Sequence, residues 1–162
     1  MNKRRTAFAA AAIAAAMPVI MLWEGKVNKT YLDIGGVPTA CYGQTGPQVT
    51  PGVIYSDKTC ENWLREETGE KYDAVMRCLP AETAMKPYQA AAMLVFAYNV
   101  GVSGACRSAA ARYARAGDWR NACRAIQVND NGIAAWSYVN GRYVQGLANR
   151  RAAERRLCEG RV

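Results

Sequence analysis

The chain has 162 residues, enough for one domain with a hydrophobic core plus a leader segment and too few to favour two domains. Lys and Arg total 21 against 13 acidic residues, and the resulting charge of +8 either favours an anionic partner or serves solubility alone. There is no histidine, which excludes Ser-His and Cys-His nucleophilic pairs and HExxH zinc sites and leaves carboxylates, Tyr, Lys and Cys for acid-base chemistry.

The chain begins with a basic segment, MNKRR, and an uncharged apolar one, residues 6–23. As a helix the apolar segment would span about 27 Å, close to the hydrocarbon thickness of about 30 Å. Because it is mostly Ala and Pro18 interrupts it, we expect a weak membrane anchor. The preceding positive charge predicts a cytoplasmic amino terminus and an exported remainder. We therefore divide the chain into an anchor, 1–23, and a second region, 24–162.

Two interpretations of the leader stay open. A signal peptidase could cut at an A-x-A site after Ala16, or the segment could remain uncleaved. Cleavage would leave residues 17–23, which are still apolar, at the new amino terminus.

The chain has six cysteines with no CxxC motif. Export to an oxidising compartment favours disulfides over buried free thiols, but the sequence alone does not choose the pairing.

Alternation and a Gly-Gly turn predict a small β-hairpin over residues 30–43, with Asp33 on one arm and Thr39 on the other. Helical spacing of apolar residues predicts an amphipathic helix over residues 57–79. These elements place the predicted sheet near the start of the chain.

The segment from Pro87 to Gly101 is apolar nearly all round, which predicts a buried central helix. At about 13 residues it is too short for a second membrane span. Three shorter helices are expected at 104–116, 118–128 and 146–158. The fold class is therefore α+β, mostly helical, with one small sheet. Basic residues are dispersed over 107–161 without a nucleic-acid-binding signature, so we expect no nucleic-acid partner.

Two carboxylates follow the apolar segment, Glu24 directly and Asp33 just before the glycine pair. If residues 17–23 form a helix, Glu24 lies in its last turn, where apolar neighbours favour the protonated carboxyl that a general acid needs. Asp33 would stay ionised on the polar hairpin. Glycoside hydrolysis uses such a pair, although the spacing alone equally fits two solvated acids.

The motifs EG, YLDIGGVPT and CYGQTG over residues 24–46 resemble the catalytic signature of phage-type lysozymes, the glycoside hydrolases of the lambdoid and T-even endolysin group. The resemblance continues through TPGVIYSDKTCENWL from Thr50, VFAYNVG over 95–101 and GRYVQGLANRRAAERRLC over 141–158. It covers nearly all the chain beyond residue 20 and implies a lysozyme-like fold.

The resemblance also implies roles for individual residues. Glu24 would protonate the glycosidic oxygen, Asp33 would support the attacking water or the developing positive charge, and Thr39 would orient that water. An Arg of the last helix would pair with Glu24, namely Arg150, with Arg151 as the fallback; a solvated helix face is the alternative for both. Two tyrosines, Tyr31 and Tyr42, are expected either to line the sugar groove or to lie in the core.

The resemblance further suggests three disulfides, although many relatives have Gly where this chain has Cys41. The pairs are Cys41 with Cys60, Cys78 with Cys106, and Cys123 with Cys158.

The leader resembles the signal-anchor-release segment of some endolysins. Such a segment enters the host inner membrane uncleaved, with the catalytic domain in the periplasm, and is released when the membrane is depolarised. While residues 17–23 were in lipid, Glu24 would be held at the interface and the site could not assemble.

The expected function is an endolysin muramidase. It would hydrolyse the β-1,4 bond between N-acetylmuramic acid and N-acetylglucosamine of bacterial peptidoglycan as a monomer without metal or cofactor, causing host cell lysis. The alternatives are a lytic transglycosylase, a non-catalytic membrane-anchored cell-wall-binding module, and a membrane-disrupting effect of the Arg-rich terminus.

Overall fold

The computed structural model describes residues 3–161, and within them the fold is α+β and mostly helical, as predicted. The helices are α1 (Lys3–Glu24), α2 (Asp57–Met76), α3 (Pro87–Val100), α4 (Val102–Arg107), α5 (Ala109–Arg115), α6 (Trp119–Gln127) and α7 (Gln145–Cys158). Antiparallel strands form two hairpins, β1 (Val27–Leu32) with β2 (Pro38–Cys41) and β3 (Tyr138–Val139) with β4 (Arg142–Tyr143). The predicted basic start includes residues 1 and 2, which lie outside the described residues.

Helix α3 is the centre of the molecule. Every side chain from residue 90 to 97 is buried, and the helix packs against α1, α2, α4, α6 and α7. It begins at Pro87, whose missing N–H costs nothing at a first helical position, and ends before Gly101, which has a φ of 80°. The predicted buried helix is therefore confirmed.

Helix α1 packs against α3 and α2 along a stripe of buried residues four positions apart, Ala12, Ala16 and Ile20. Glu24 occupies the next position of this stripe. By length and composition the part from Thr6 to Glu24 is also apolar enough to cross a membrane. The apolar leader thus supplies part of the core and aims Glu24 at the protein interior.

Pro18 does not interrupt α1, contrary to the sequence-based expectation. Pro18 is exposed, so the carbonyl that loses its helical partner lies on the outer face of α1, where water can solvate it. The helix also runs unbroken through residues 14–16, the A-x-A sequence that a signal peptidase could recognise.

Gly25 ends α1 directly after Glu24, with a φ of 70°. A Cβ at this position would meet nothing within 4 Å, so the left-handed conformation rather than space favours glycine. The chain turns here into β1.

Several predicted boundaries are wrong. The second helix ends at Met76 rather than at residue 79. The predicted helix 104–116 is two helices, because Ser108 is extended and its hydroxyl accepts a hydrogen bond from the Ala111 amide to cap α5. The hairpin β3–β4 is a second sheet that the sequence did not predict.

Three disulfides tie the elements together, in the three pairings that the resemblance suggests. They join Cys41 to Cys60, Cys78 to Cys106, and Cys123 to Cys158. Cys41 takes a left-handed φ of 61°, a conformation that glycine adopts at the least cost, and its bond to Cys60 anchors β2 to α2.

Candidate active site

The central feature of the candidate site is an ion pair between the first and last helices. The Arg150 guanidinium donates a hydrogen bond from Nη2 to Glu24 Oε1 at 2.8 Å, across 126 positions of sequence. Arg150 is buried, whereas the Glu24 side chain keeps 25% of its surface exposed. The structure thus brings the predicted acid and its predicted Arg partner together, with the carboxyl still open to solvent.

Helix α7 holds Arg150 in place through a second carboxylate. Arg150 Nε donates to Glu154 Oε1 at 3.2 Å, and Arg151 Nη2 donates to the same oxygen at 2.9 Å. Positions four and three apart lie on one helix face, so the sequence NRRAAE brings the three groups together. Arg151 also donates to Asn99 Oδ1 at 2.7 Å. Arg150 and Arg151 are both buried, so neither belongs to a solvated helix face.

The surroundings of the Glu24 carboxylate differ from the sequence-based expectation. We expected apolar neighbours, but Arg150 contacts it directly and Glu154 lies behind Arg150. Burial raises the pKa of Glu154 to about 7, although Arg151 and Arg150 act in the opposite direction. The predicted acid therefore sits at the exposed end of a charged cluster.

Asp33 lies in the turn between β1 and β2 rather than on a strand. Its Oδ1 accepts hydrogen bonds from the amides of Gly35 at 2.8 Å and Val37 at 2.9 Å. These bonds form an Asx turn, which fixes the carboxylate and leaves Oδ2 without a contact to the turn. Asp33 is half-buried.

Thr39 is buried on β2, directly opposite Tyr31 on β1. Its hydroxyl donates to the Val37 carbonyl at 3.0 Å, which leaves the oxygen lone pairs available to accept from another group. The same turn therefore orients Asp33 and Thr39, because Val37 contacts both side chains.

The two predicted tyrosines occupy different environments. Tyr31 is 41% exposed, whereas Tyr42 is 4% exposed and belongs to the core. Only Tyr31 presents much of its ring to solvent.

A further polar network, which the sequence did not predict, connects the hairpin region to α2 and α3. Glu67 accepts from Tyr98 at 2.7 Å, from Gln44 at 2.9 Å and from Lys71 at 2.8 Å. Burial acts to raise the pKa of Glu67, but these donors together lower it. Burial raises the pKa of the Tyr98 hydroxyl most, and the hydrogen bond and charge of Glu67 raise it further. The charge of Glu24 also raises this pKa, whereas the charge of Arg150 lowers it.

A pocket of about 270 Å³ lies beside Glu67, and Glu24 is not among the residues that line it. Its lining residues are Gly43, Gln44, Thr45, Gln48, Trp63, Glu66, Glu67 and Glu70. Within the described part of the chain, no three His, Cys, Asp or Glu side chains are grouped so as to hold a metal ion.

Sequence reasoning missed Glu154, Asn99 and the Glu67 network. A signal for Glu154 was present, because it shares a helix face with Arg150 and with the apolar Leu157. Lys71 follows Glu67 by one helical turn, but for Asn99 and for the Tyr98 and Gln44 partners of Glu67 the sequence held no comparable signal, since these pairs join distant elements.

Solved structures share this fold. The endolysin from Escherichia coli O157:H7 phage FAHEc1 superposes with a TM-score of 0.75 and 23% identity, over 91% of this chain and 92% of that one. The active form of the P1 phage endolysin Lyz gives a TM-score of 0.68 and 26% identity, over 91% of this chain and 85% of that one. The muramidase domain of SpmX from Asticaccaulis excentricus gives a TM-score of 0.73 and 23% identity, over 89% of this chain and 94% of that one. The class is thus a lysozyme-fold protein.

The sequence comparisons narrow the class to a family. The SAR-endolysin of Escherichia phage Mu is 32% identical over 131 residues, 81% of this chain and 71% of that protein. The SAR-endolysin of Bacteriophage PS119 is 30% identical over 138 residues, 83% of this chain and 75% of that protein. The sequence model of the phage lysozyme family matches residues 21–154, and the chain belongs to that family. Membership supports a glycosidase.

Proposed function

We propose that the protein is an endolysin muramidase that hydrolyses the β-1,4 bond between N-acetylmuramic acid and N-acetylglucosamine in bacterial peptidoglycan and so lyses its host. The observation that carries the proposal is the partly exposed Glu24 carboxyl, held by Arg150 at 2.8 Å at the end of α1, a helix that packs one face against the core.

The proposed reaction uses Glu24 as the general acid. Arg150 contacts only Oε1, so Oε2 is left to protonate the glycosidic oxygen as the bond to the anomeric carbon breaks. Water attacks that carbon, and Asp33 accepts the proton of the water or balances the positive charge of the transition state. The resemblance implies a single displacement with inversion.

The hairpin turn supports the second half of this reaction. The two amide hydrogen bonds to Asp33 Oδ1 fix the carboxyl group and so hold Oδ2 in one orientation. Thr39 retains lone pairs that can accept a hydrogen bond from the attacking water. Exposed Tyr31 is proposed to contact the sugar. Buried Tyr42 is proposed to support the hairpin from the core side.

We further propose that α1 is a signal anchor before it is a core helix. In the inner membrane it would leave the rest of the chain in the periplasm, and after release it would pack its Ala12, Ala16 and Ile20 stripe against the core. That packing delivers Glu24 to Arg150, so release and activation are one folding event. The active protein is proposed to be a soluble monomer.

The test compares the release of dye-labelled fragments from purified peptidoglycan by three oxidised proteins. Glu24→Gln keeps the side-chain volume and removes the transferable proton, so the rate should fall by about 100-fold or more. Glu61→Gln, which removes an exposed acid on α2, is the matched control and should keep the wild-type rate. Lysis that survives Glu24→Gln would point to membrane disruption by the basic terminus, and binding without release to a cell-wall-binding module.

A further inference from the structure

We propose that Glu154 is a positioning residue for catalysis: its buried carboxylate fixes Arg150 so that the guanidinium holds Glu24 in the orientation that proton donation requires. The inference rests on the proposed function, in which Glu24 is the acid.

The geometry divides the Arg150 guanidinium between two carboxylates. Its Nε contacts Glu154 Oε1 at 3.2 Å, and its Nη2 contacts Glu24 Oε1 at 2.8 Å. A guanidinium is planar and rigid, so fixing one edge of it aims the other. Glu154 is fully buried, whereas Glu24 is partly exposed, and the buried end is therefore the fixed end.

Arg151 in turn fixes Glu154. It contacts Glu154 Oε1 at 2.9 Å and Asn99 Oδ1 at 2.7 Å, and its guanidinium lies 5.1 Å from the centre of the Phe96 ring. Asn99 and Phe96 both belong to α3, the central helix. The central helix therefore determines the orientation of Glu24 through a chain of three charged side chains on α7, namely Arg151, Glu154 and Arg150.

The cluster also sets the electrostatic environment of the acid. The charged groups that act on Glu154 are Arg151 and Arg150 on α7 and Glu24 on α1, while α3 contributes the uncharged Asn99 and Phe96. Two cations thus face two carboxylates. At pH above about 7, where Glu154 is ionised, replacing it by a neutral side chain would leave an excess of positive charge beside Glu24, which favours the ionised form of Glu24 over the protonated form that donates.

Glu154→Gln tests both consequences. Because Arg150 loses its fixed partner, kcat should fall roughly tenfold or more with little change in KM. Because ionised Glu24 is favoured, the alkaline limb of the rate-against-pH curve should move to lower pH. A purely structural role for Glu154 would not move that limb.

Two further variants separate positioning from stability. Glu154→Asp keeps the charge but withdraws the carboxylate by one methylene, so kcat should fall several-fold while the alkaline limb stays in place. Leu157→Ala removes buried volume from the same helix without a charge change. It should lower the free energy of unfolding without lowering kcat or moving the alkaline limb. Circular dichroism gives the folded fraction of each protein, and rates are compared per folded molecule.

The possible outcomes are distinct. Wild-type kcat in the folded Glu154 variants, or an equal loss of kcat in Leu157→Ala, would overturn the positioning role. If Glu154→Gln does not fold, Glu154→Asp decides by its kcat alone. Full activity of Glu24→Gln would instead overturn the proposed function on which this inference rests.

Discussion

Helix α1 is both apolar enough to cross a membrane and part of the core, and one pair of substitutions separates these properties. Ile20 is 0% exposed and Leu22 is 75% exposed on the same helix. Ile20→Ala and Leu22→Ala remove similar amounts of hydrocarbon, so each should weaken membrane insertion to a similar degree. Only the first leaves a cavity in the folded protein.

The magnitude follows from burial. Replacing a fully buried Ile by Ala costs about 3 kcal/mol, within a usual range of about 2 to 5, whereas an exposed substitution stays within about 0.5 kcal/mol. With a urea dependence of about 1.5 kcal/mol per molar, Ile20→Ala should lower the unfolding midpoint by about 2 M and Leu22→Ala should hardly change it.

The assay is urea unfolding of the released, oxidised proteins followed by circular dichroism. Membrane retention is measured in parallel by fractionating expressing cells before and after depolarisation. Equal midpoints for the two variants would refute the packing of α1 in the core. A change in membrane retention for only one of them would refute the claim that insertion depends on composition alone.

Three further predictions concern particular residues. Gly25→Ala should destabilise by about 1 kcal/mol because φ is 70°, whereas Gly69→Ala, inside α2 with nothing near its Cβ, should stabilise by up to about 1 kcal/mol; thermal unfolding measures both. Replacing Cys41 and Cys60 together by Ser should lower the free energy of unfolding by about 3 kcal/mol, measured by urea unfolding, since the bond closes a loop with a sequence separation of 19. Burial raises the pKa of Glu154 from 4.5 to about 7, so its contribution to stability is present at pH below 4.5 and is lost as pH rises through about 7; Glu154→Gln should remove this dependence in urea unfolding at several pH values.

Each of these has a contradicting result. A stabilising Gly25→Ala would mean that α1 does not end there in a left-handed residue. Unchanged stability of the Cys41 and Cys60 double variant would argue that the loop is already ordered when the chain is unfolded. Identical pH dependence with and without Glu154 would mean that its carboxyl is not desolvated.

The helices of the core could be predicted from the sequence because burial of one helix face imposes a helical spacing on the apolar residues. The apolar run from Pro87 and the spacing of Leu157 with the charged residues of α7 could each be interpreted locally. The pair of Glu24 with Arg150 could not, because it joins residues 126 positions apart and only the family resemblance indicated it.

Other features depended on local chemistry that competes with periodicity. The Ser108 hydroxyl caps α5 and so breaks a continuous apolar pattern into two helices. The Asp33 side chain accepts hydrogen bonds from two amides of its own turn, and Asp33 therefore lies in that turn rather than on the predicted strand. The short strands β3 and β4 are exposed throughout and carry no alternation of burial that a sequence pattern could reveal.

The central claim is hydrolysis of the glycosidic bond through Glu24, and the masses of the released sugar fragments test it most directly. Wild-type protein acting on purified peptidoglycan should release fragments with reducing ends, each heavier by one water than the corresponding anhydro fragment, and Glu24→Gln should release none. Anhydro fragments from the wild type would contradict hydrolysis and indicate a lytic transglycosylase, and reducing fragments that persist in Glu24→Gln would contradict the role of Glu24.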